Sequence, residues 1–432
     1  MTRTIALFSL AILLLTAAAG LRALRSDSAD DVEPMARVSA PARTAEQVSL
    51  LEQQVRDRPD DAQLHTTLAA AYLQRLRETA DAGYYGLADR AVGRALELDG
   101  DDVRALTVAG ALALSRHDFA EALAIGERAR SIEAGAVAPY GIITDALMEL
   151  GRYDEAVAAA QQMLDRRPDF ASYSRVSYIR ELHGDLPGAI AAMEAAVEAG
   201  SGAPQDVTWG LVLLGNLRLT SGDVEGAAEE YERAGALLPD DANVRAGLAR
   251  LATARGDAQA AETHLRAALD RTPLPEYAIA LGDVLASEGR MREAGEQYAL
   301  VRAIAQLFAA NGVDTDLELA LFEADHGGDA QATYERARAA YERRPSVQAA
   351  DVLAWAAFRA GRIEEARRRI AEAMRLGTRD SRMAYHAGVI AEAAGDAVVA
   401  SEQLARALAS PGMLTPREAA EARVALRSVD GG

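Results

Sequence analysis

One internal period constrains this chain more than any other feature. Glycine recurs at positions 151, 184, 222, 256, 289, 328, 361 and 395, with successive gaps of 33, 38, 34, 33, 39, 33 and 34. Five residues after these glycines stand Ala156, Ala189, Ala227, Ala261, Ala294, Thr333, Ala366 and Ala400. Nine residues after stand Ala160, Met193, Tyr231, Leu265, Tyr298, Ala337, Ile370 and Leu404, and twelve after stand Met163, Ala196, Ala234, Ala268, Val301, Ala340, Ala373 and Ala407. Four positions held in phase over eight units mean one supersecondary unit copied along the chain. Such arrays grow by stacking each unit on its neighbours, so 432 residues need no single oversized core.

Leu211–Asp241, LVLLGNLRLTSGDVEGAAEEYERAGALLPDD, is the plainest copy. Leu211, Leu214 and Leu217 mark one face of a first helix. Ser221-Gly222-Asp223 is turn chemistry, with glycine free to take positive φ and aspartate able to cap the next helix. Ala227, Tyr231 and Ala234 form the stripe of a second amphipathic helix, and Pro239 ends it. Proline stands at the same point at 168, 273 and 345. The small residues Gly215, Ala227 and Ala234 predict close helix approach, with Leu214 and Tyr231 filling what remains.

Leu214-Gly215, Leu281-Gly282, GRYDEA at 151–156 and Pro168 or Pro239 carry a resemblance to the tetratricopeptide repeat, a helix–turn–helix unit of about 34 residues. Two weaker units precede the eight. One runs from Val103 to Ala136 with His117-Asp118-Phe119 at its turn; the other begins near Ala62 and carries extra turn residues, RETADAGYY. About ten repeats result, implying an all-α, right-handed α-solenoid. The resemblance gives the boundaries 44–61 for an N-terminal capping helix, 62–412 for the solenoid and 413–432 for a C-terminal capping helix and tail. Thr44-Ala45-Glu46-Gln47 and Thr415-Pro416-Arg417-Glu418 both match capping boxes. GSGAPQD predicts a longer loop near residue 203, and residues 303–328 predict a lengthened second helix followed by a shortened first one. The irregular segments RETADAGYY, ASYSRVSYIRELHGD, LPEYAIALGD and NGVDTDLELALFEADHG resemble an uncharacterised family of exported bacterial tetratricopeptide proteins, which implies no activity.

Residues 1–25 read as a signal peptide or N-terminal membrane anchor. The apolar run 4–21 lies between Arg3 and Arg22, and Ala17-x-Ala19 offers a cleavage site. No cysteine follows, which excludes a lipoprotein anchor. Residues 26–43 are acidic, proline-bearing and aperiodic, and read as a disordered linker. The expected location is the periplasm, or the outward face of the cytoplasmic membrane.

Charge and absent residues exclude several functions. Net charge is −19, and beyond residue 43 forty-one basic residues stand against sixty-one acidic ones. Nucleic-acid binding requires clustered cations, and none is visible. All 46 basic residues are Arg, so there is no P-loop or Schiff-base lysine. With no Cys there is no thiol nucleophile, iron–sulfur ligand or disulfide. Neither a GxSxG elbow nor an HExxH zinc pattern occurs. Asp325-His326 beside Gly327-Gly328 offers too few ligands for a metal, and His326 reads as a helix-terminal turn residue. No cofactor is expected and no catalytic residue is assigned.

The resemblance implies that the first helices line a concave groove. Projected onto that groove, Arg104, Asp145, Arg175, Tyr178, Asn216, Arg250, Asp283 and Trp355 are the candidate binding residues. Arg175, Asn216 and Arg250 fall on three successive repeats, suited to a carboxylate or the backbone of an extended peptide. The lysine-based peptide clamp known in the family has no counterpart here. The competing expectation is that these polar groups pair with neighbouring repeats, and that Tyr178 and Trp355 are core. The sequence thus leads to a non-enzymatic scaffold for a protein or peptide partner, with a small-molecule or glycan carrier as the alternative.

Overall fold

The computed structural model describes residues 40–200 and 202–431. The apolar run 4–21 and most of the linker lie outside these residues. Among them the chain forms 22 α-helices, one short 3-10 turn and no strand. The first is α1 (Ala40–Asp57). Five hairpins follow: α2 and α3 (Ala62–Thr79, Gly83–Leu98), α4 and α5 (Val103–Ser115, Phe119–Ile132), α6 and α7 (Ala138–Glu149, Tyr153–Arg166), α8 and α9 (Phe170–Leu182, Leu186–Ala199), α10 and α11 (Pro204–Thr220, Val224–Leu237). Five more are α12 and α13 (Ala242–Ala254, Ala258–Arg271), α14 and α15 (Pro275–Ser287, Met291–Ala310), α16 and α17 (Asp316–His326, Ala330–Arg343), α18 and α19 (Val347–Arg359, Ile363–Ala373), α20 and α21 (Ser381–Ala393, Ala397–Leu408), before a closing α22 (Pro416–Asp430). The fold is an all-α solenoid of ten helical hairpins, as the period requires.

The in-phase positions explain why the hairpins stack. The residue five after each turn glycine, from Ala156 to Ala400, is at most 1% exposed, and any larger group there would force the paired helices apart. Tyr231 is also completely buried; its ring lies against Gly215 of its own hairpin and Gly247 of the next. A Cβ at these glycines would stand 2.5 and 2.6 Å from that ring, so both must lack one. At the turns, aspartate oxygens accept from backbone N–H groups at the start of the second helix: Asp118 from Glu121, Asp185 from Gly188, Asp223 from Gly226 and Asp257 from Ala260, at 2.9–3.1 Å.

Four local readings are corrected. Gly327, not Gly328, holds the left-handed turn conformation, and the following cap is Asp329, so this turn carries one extra residue. The RETADAG insertion lengthens α2 to 18 residues, leaving a turn of only Ala80–Ala82. The GSGAPQD insertion lengthens a helix more than a loop: its last three residues, Pro204 to Asp206, open α10, which has 17 residues where α8 and α12 have 13. Helix α1 begins at Ala40, ahead of Thr44, whose hydroxyl donates to Glu78 at 2.8 Å rather than capping. By contrast, α15 has 20 residues and α16 only 11, as residues 303–328 suggested. At the C-terminal end Thr415 and Glu418 form the reciprocal capping box.

The chain divides into two compact units. Among the described residues, one contains 40–172 with Leu307–Asp314. Here the end of α15 packs on the early repeats: Phe308 meets the Tyr85 ring edge-on at 6.3 Å, and the Asp314 carbonyl lies 2.6 Å from His117 Nδ1. The other contains Tyr173–Gln306 and 315–431. Within it, late helices return to early ones. Gln348 donates to the Tyr178 hydroxyl at 2.8 Å, and Ser410 donates to the Thr220 carbonyl at 2.7 Å. Gly412, at φ +74, lies so close to Arg250 that a Cβ would come within 2.8 Å of its carbonyl oxygen. Among the described residues no helix is long and apolar enough to cross a membrane.

Candidate functional site

The eight residues projected onto the groove are not displayed together on an open surface. In the first unit, Asp145 on α6 is buried and Arg104 on α4 is half-buried. In the second, Arg175, Tyr178, Asn216, Asp283 and Trp355 are buried and Arg250 is half-buried. Asn216 and Asp283 each bond within their own hairpin and to the next one. Asn216 Oδ1 accepts from the Tyr231 hydroxyl at 2.7 Å and from Arg250 Nη1 at 3.1 Å, tying three helices together. Asp283 Oδ1 accepts from the Tyr298 hydroxyl at 2.7 Å and lies 2.8 Å from His326 Nε2.

Asp325 and His326 are neighbours in sequence but serve different partners. His326 belongs with Asp283, its ring 4.7 Å from Phe322 and 4.4 Å from Tyr298. Asp325 accepts from Trp355 Nε1 at 2.9 Å and pairs with the buried guanidinium of Arg382. Burial is the largest influence on Asp325 and opposes its ionisation, but the positive charges around it, Arg382 first among them, together hold the carboxyl below its ordinary range. Trp355 stacks on His386 at 4.3 Å, and His386 Nδ1 lies 2.9 Å from Asp351, with both partners fully buried. Charges this deep require partners, and the repeats supply them to one another. Among the described residues no group of three or more His, Asp or Glu is placed to hold a metal ion.

The place in the second unit where chemistry meets open space is a cleft enclosing ≈ 470 Å³, counted with its open mouth. Its walls come from the C-terminal end of α8, the end of α10, the start of α18 and α20, the Thr378–Asp380 loop and Met413. Glu181 and Asp380 both line it. Burial pushes the Glu181 carboxyl up to about 8, and the negative charge of Asp380 adds to the effect. Asp380 is itself raised by burial, although its Oδ1 caps α20 by accepting from the Arg382 and Met383 backbone at 2.9 and 2.8 Å. Tyr178, projected onto the groove, is the one predicted site residue in this wall. Sequence reasoning missed Glu181, Asp380, Ser381 and Gln348. Their contacts join α8 to helices some 170 residues later, and no periodic signal carries that information.

These features define a class: an α-solenoid whose helical hairpins bury their polar contacts between repeats. Family models described as tetratricopeptide repeat match residues 145–204 and 218–287. Over those residues the chain carries the repeats of tetratricopeptide repeat proteins. Such proteins generally serve as protein-interaction scaffolds. Similar solved structures include a tetratricopeptide repeat protein from Parabacteroides merdae ATCC 43184, at 14% identity over 56% of this chain and 98% of that one, with a TM-score of 0.41. PilW, a widely conserved type IV pilus biogenesis factor, is 15% identical over 46% of this chain and 92% of its own, with a TM-score of 0.39. YrrB, a tetratricopeptide repeat protein with an unusual peptide-binding site, is 18% identical over 46% and 96%, with a TM-score of 0.28. The curated proteins contain no match to the sequence.

Proposed function

We propose that this chain is a non-enzymatic scaffold that holds a protein or extended peptide segment, and that it works outside the cytoplasmic membrane. The observation behind this reading is the array itself. Hairpins of one design repeat through each of the two units, and the buried Arg, Asp and His side chains named above are occupied in fastening helices to one another. That arrangement suits recognition by surface rather than bond-making. The envelope location follows from the apolar run 4–21 between Arg3 and Arg22. Cross-linking in the source cells tests both parts. A photoreactive residue in place of Arg104 or of Arg379, which is exposed at the cleft, should give a discrete adduct in the envelope fraction. Adducts confined to the cytosol, or formed equally well from the exposed Arg292 on α15, would sink the reading. The cleft favours one second reading, a carrier for a small molecule, because polar groups converge there on enclosed space.

A further inference from the structure

We propose that the cleft lined by α8 and α20 binds an alkylammonium group, carried by a lysine side chain of a partner segment or by a free amine. Its polypeptide form rests on the scaffold reading, whereas binding of a free amine does not. Glu181 and Asp380 line one cleft, Asp380 with one oxygen already committed to the cap of α20. Among the described residues no cation forms an ion pair with Glu181; the positive group in the lining is Arg379, whose side chain is exposed. A second observation is independent of these acids. Ser381 lines the same cleft, is 3% exposed, and its Oγ makes no hydrogen bond. A buried hydroxyl left without a partner costs free energy that a bound donor would recover.

The chemistry selects among cations. An ammonium has three donors pointing in different directions, which matches acceptors spread over two carboxylates and one hydroxyl. A guanidinium is a planar fork suited to one carboxylate met in bidentate fashion, and the cleft is not built that way. A divalent metal needs several ligands on one point, and no such group occurs among the described residues. Leu182, Met383 and Met413 supply apolar wall for the methylene stem.

Occupancy couples to protons. The charged or titratable groups facing Glu181 in the cleft are Asp380, Arg379 and Tyr178. In the empty cleft Glu181 keeps its proton up to about pH 8, and an ammonium stabilises the ionised form. Binding below that pH therefore releases about one proton, and affinity rises as pH rises toward 8.

The test is calorimetric titration of the full chain with n-butylammonium chloride and, separately, with Nα-acetyl-lysine N-methylamide, at pH 6, 7 and 8. Affinity should rise roughly fifty-fold from pH 6 to pH 8, and buffers of different ionisation enthalpy should report release of about one proton at pH 7. Glu181→Gln, nearly isosteric and relieved of a buried charge, should abolish both effects with an unchanged helical spectrum. Ser381→Ala should weaken binding about tenfold. Binding of the lysine compound alone assigns the ligand to a polypeptide, and binding of butylammonium alone assigns it to a free amine. Failure of both ligands to bind at pH 8 overturns the proposal, as does pH-independent affinity or binding undiminished in Glu181→Gln.

Discussion

Single residues in this molecule act as fasteners between repeats, and Tyr231 is the clearest. Its ring fills the space two glycines vacate, while its hydroxyl donates to Asn216, which also accepts from Arg250. Tyr231→Ala should cost about 3–5 kcal/mol, the range for emptying a buried aromatic site. Tyr231→Phe keeps the packing and loses only the hydroxyl, so about 1 kcal/mol is expected. Chemical denaturation of the two variants separates the contributions; equal losses would mean the ring matters little. Glu181 predicts a pH dependence. Its folded-state pKa is raised to about 8, so between the ordinary carboxylate range and pH 8 the folded state binds more protons than the unfolded one. Stability from this group is then greatest at acid pH and lost as pH rises through that window. Glu181→Gln should raise the melting temperature more at pH 8 than at pH 5. An equal shift at both values would show that the carboxyl titrates normally.

At the scale of the element, the sequence was legible wherever local chemistry decides. The turn glycine, the capping aspartate, the proline two residues past a helix end and the small residues of the second-helix stripe act within one hairpin, and the hairpins form where they place them. Insertions were harder to read. RETADAG and GSGAPQD look like loop because they hold glycine and polar groups, yet the structure uses them to extend α2 and α10. An extra helical turn satisfies its own backbone groups, whereas an extra loop leaves them needing other partners. The capping-box reading of Thr44 failed for a related reason: its hydroxyl finds Glu78, a partner that helix-local rules do not see. Thr415 is where the local rule does operate, bonding the Glu418 backbone at 2.6 Å while Glu418 returns the bond at 3.0 Å. Thr415→Ala should therefore cost about 1 kcal/mol, and hydrogen exchange should speed up first at the N-terminal turn of α22. Unchanged exchange there would mean the helix is held by its packing alone.

At the scale of the whole molecule, the period gave the number and order of the hairpins but not the return of late repeats onto early ones. A solenoid described by nearest neighbours has only short-range contacts. The C-terminal unit departs from that rule through Gln348 on Tyr178, Ser410 on Thr220 and Gly412 against Arg250. These contacts also decide the fate of the projected groove. They close over the first helices of the unit, and they turn Tyr178 from a groove residue into part of a cleft wall. The consequence is long-range coupling of stability. Removing every residue after Leu408 deletes Ser410, Gly412 and Met413 together with α22. In an open array the loss would stay with the last hairpin, since each unit leans only on its neighbours. Here Met413 packs in the same core cluster as Leu219 and Tyr231, so the truncation should also loosen α10 and α12, some 160–190 residues earlier. Hydrogen exchange of the truncated chain is expected to rise in α20 and α21 and, to a comparable degree, around Thr220 and Arg250, while α4 to α7 of the other unit keep their protection. Exchange that rises only in the final hairpin would mean that the closing contacts add nothing to the stability of the early repeats.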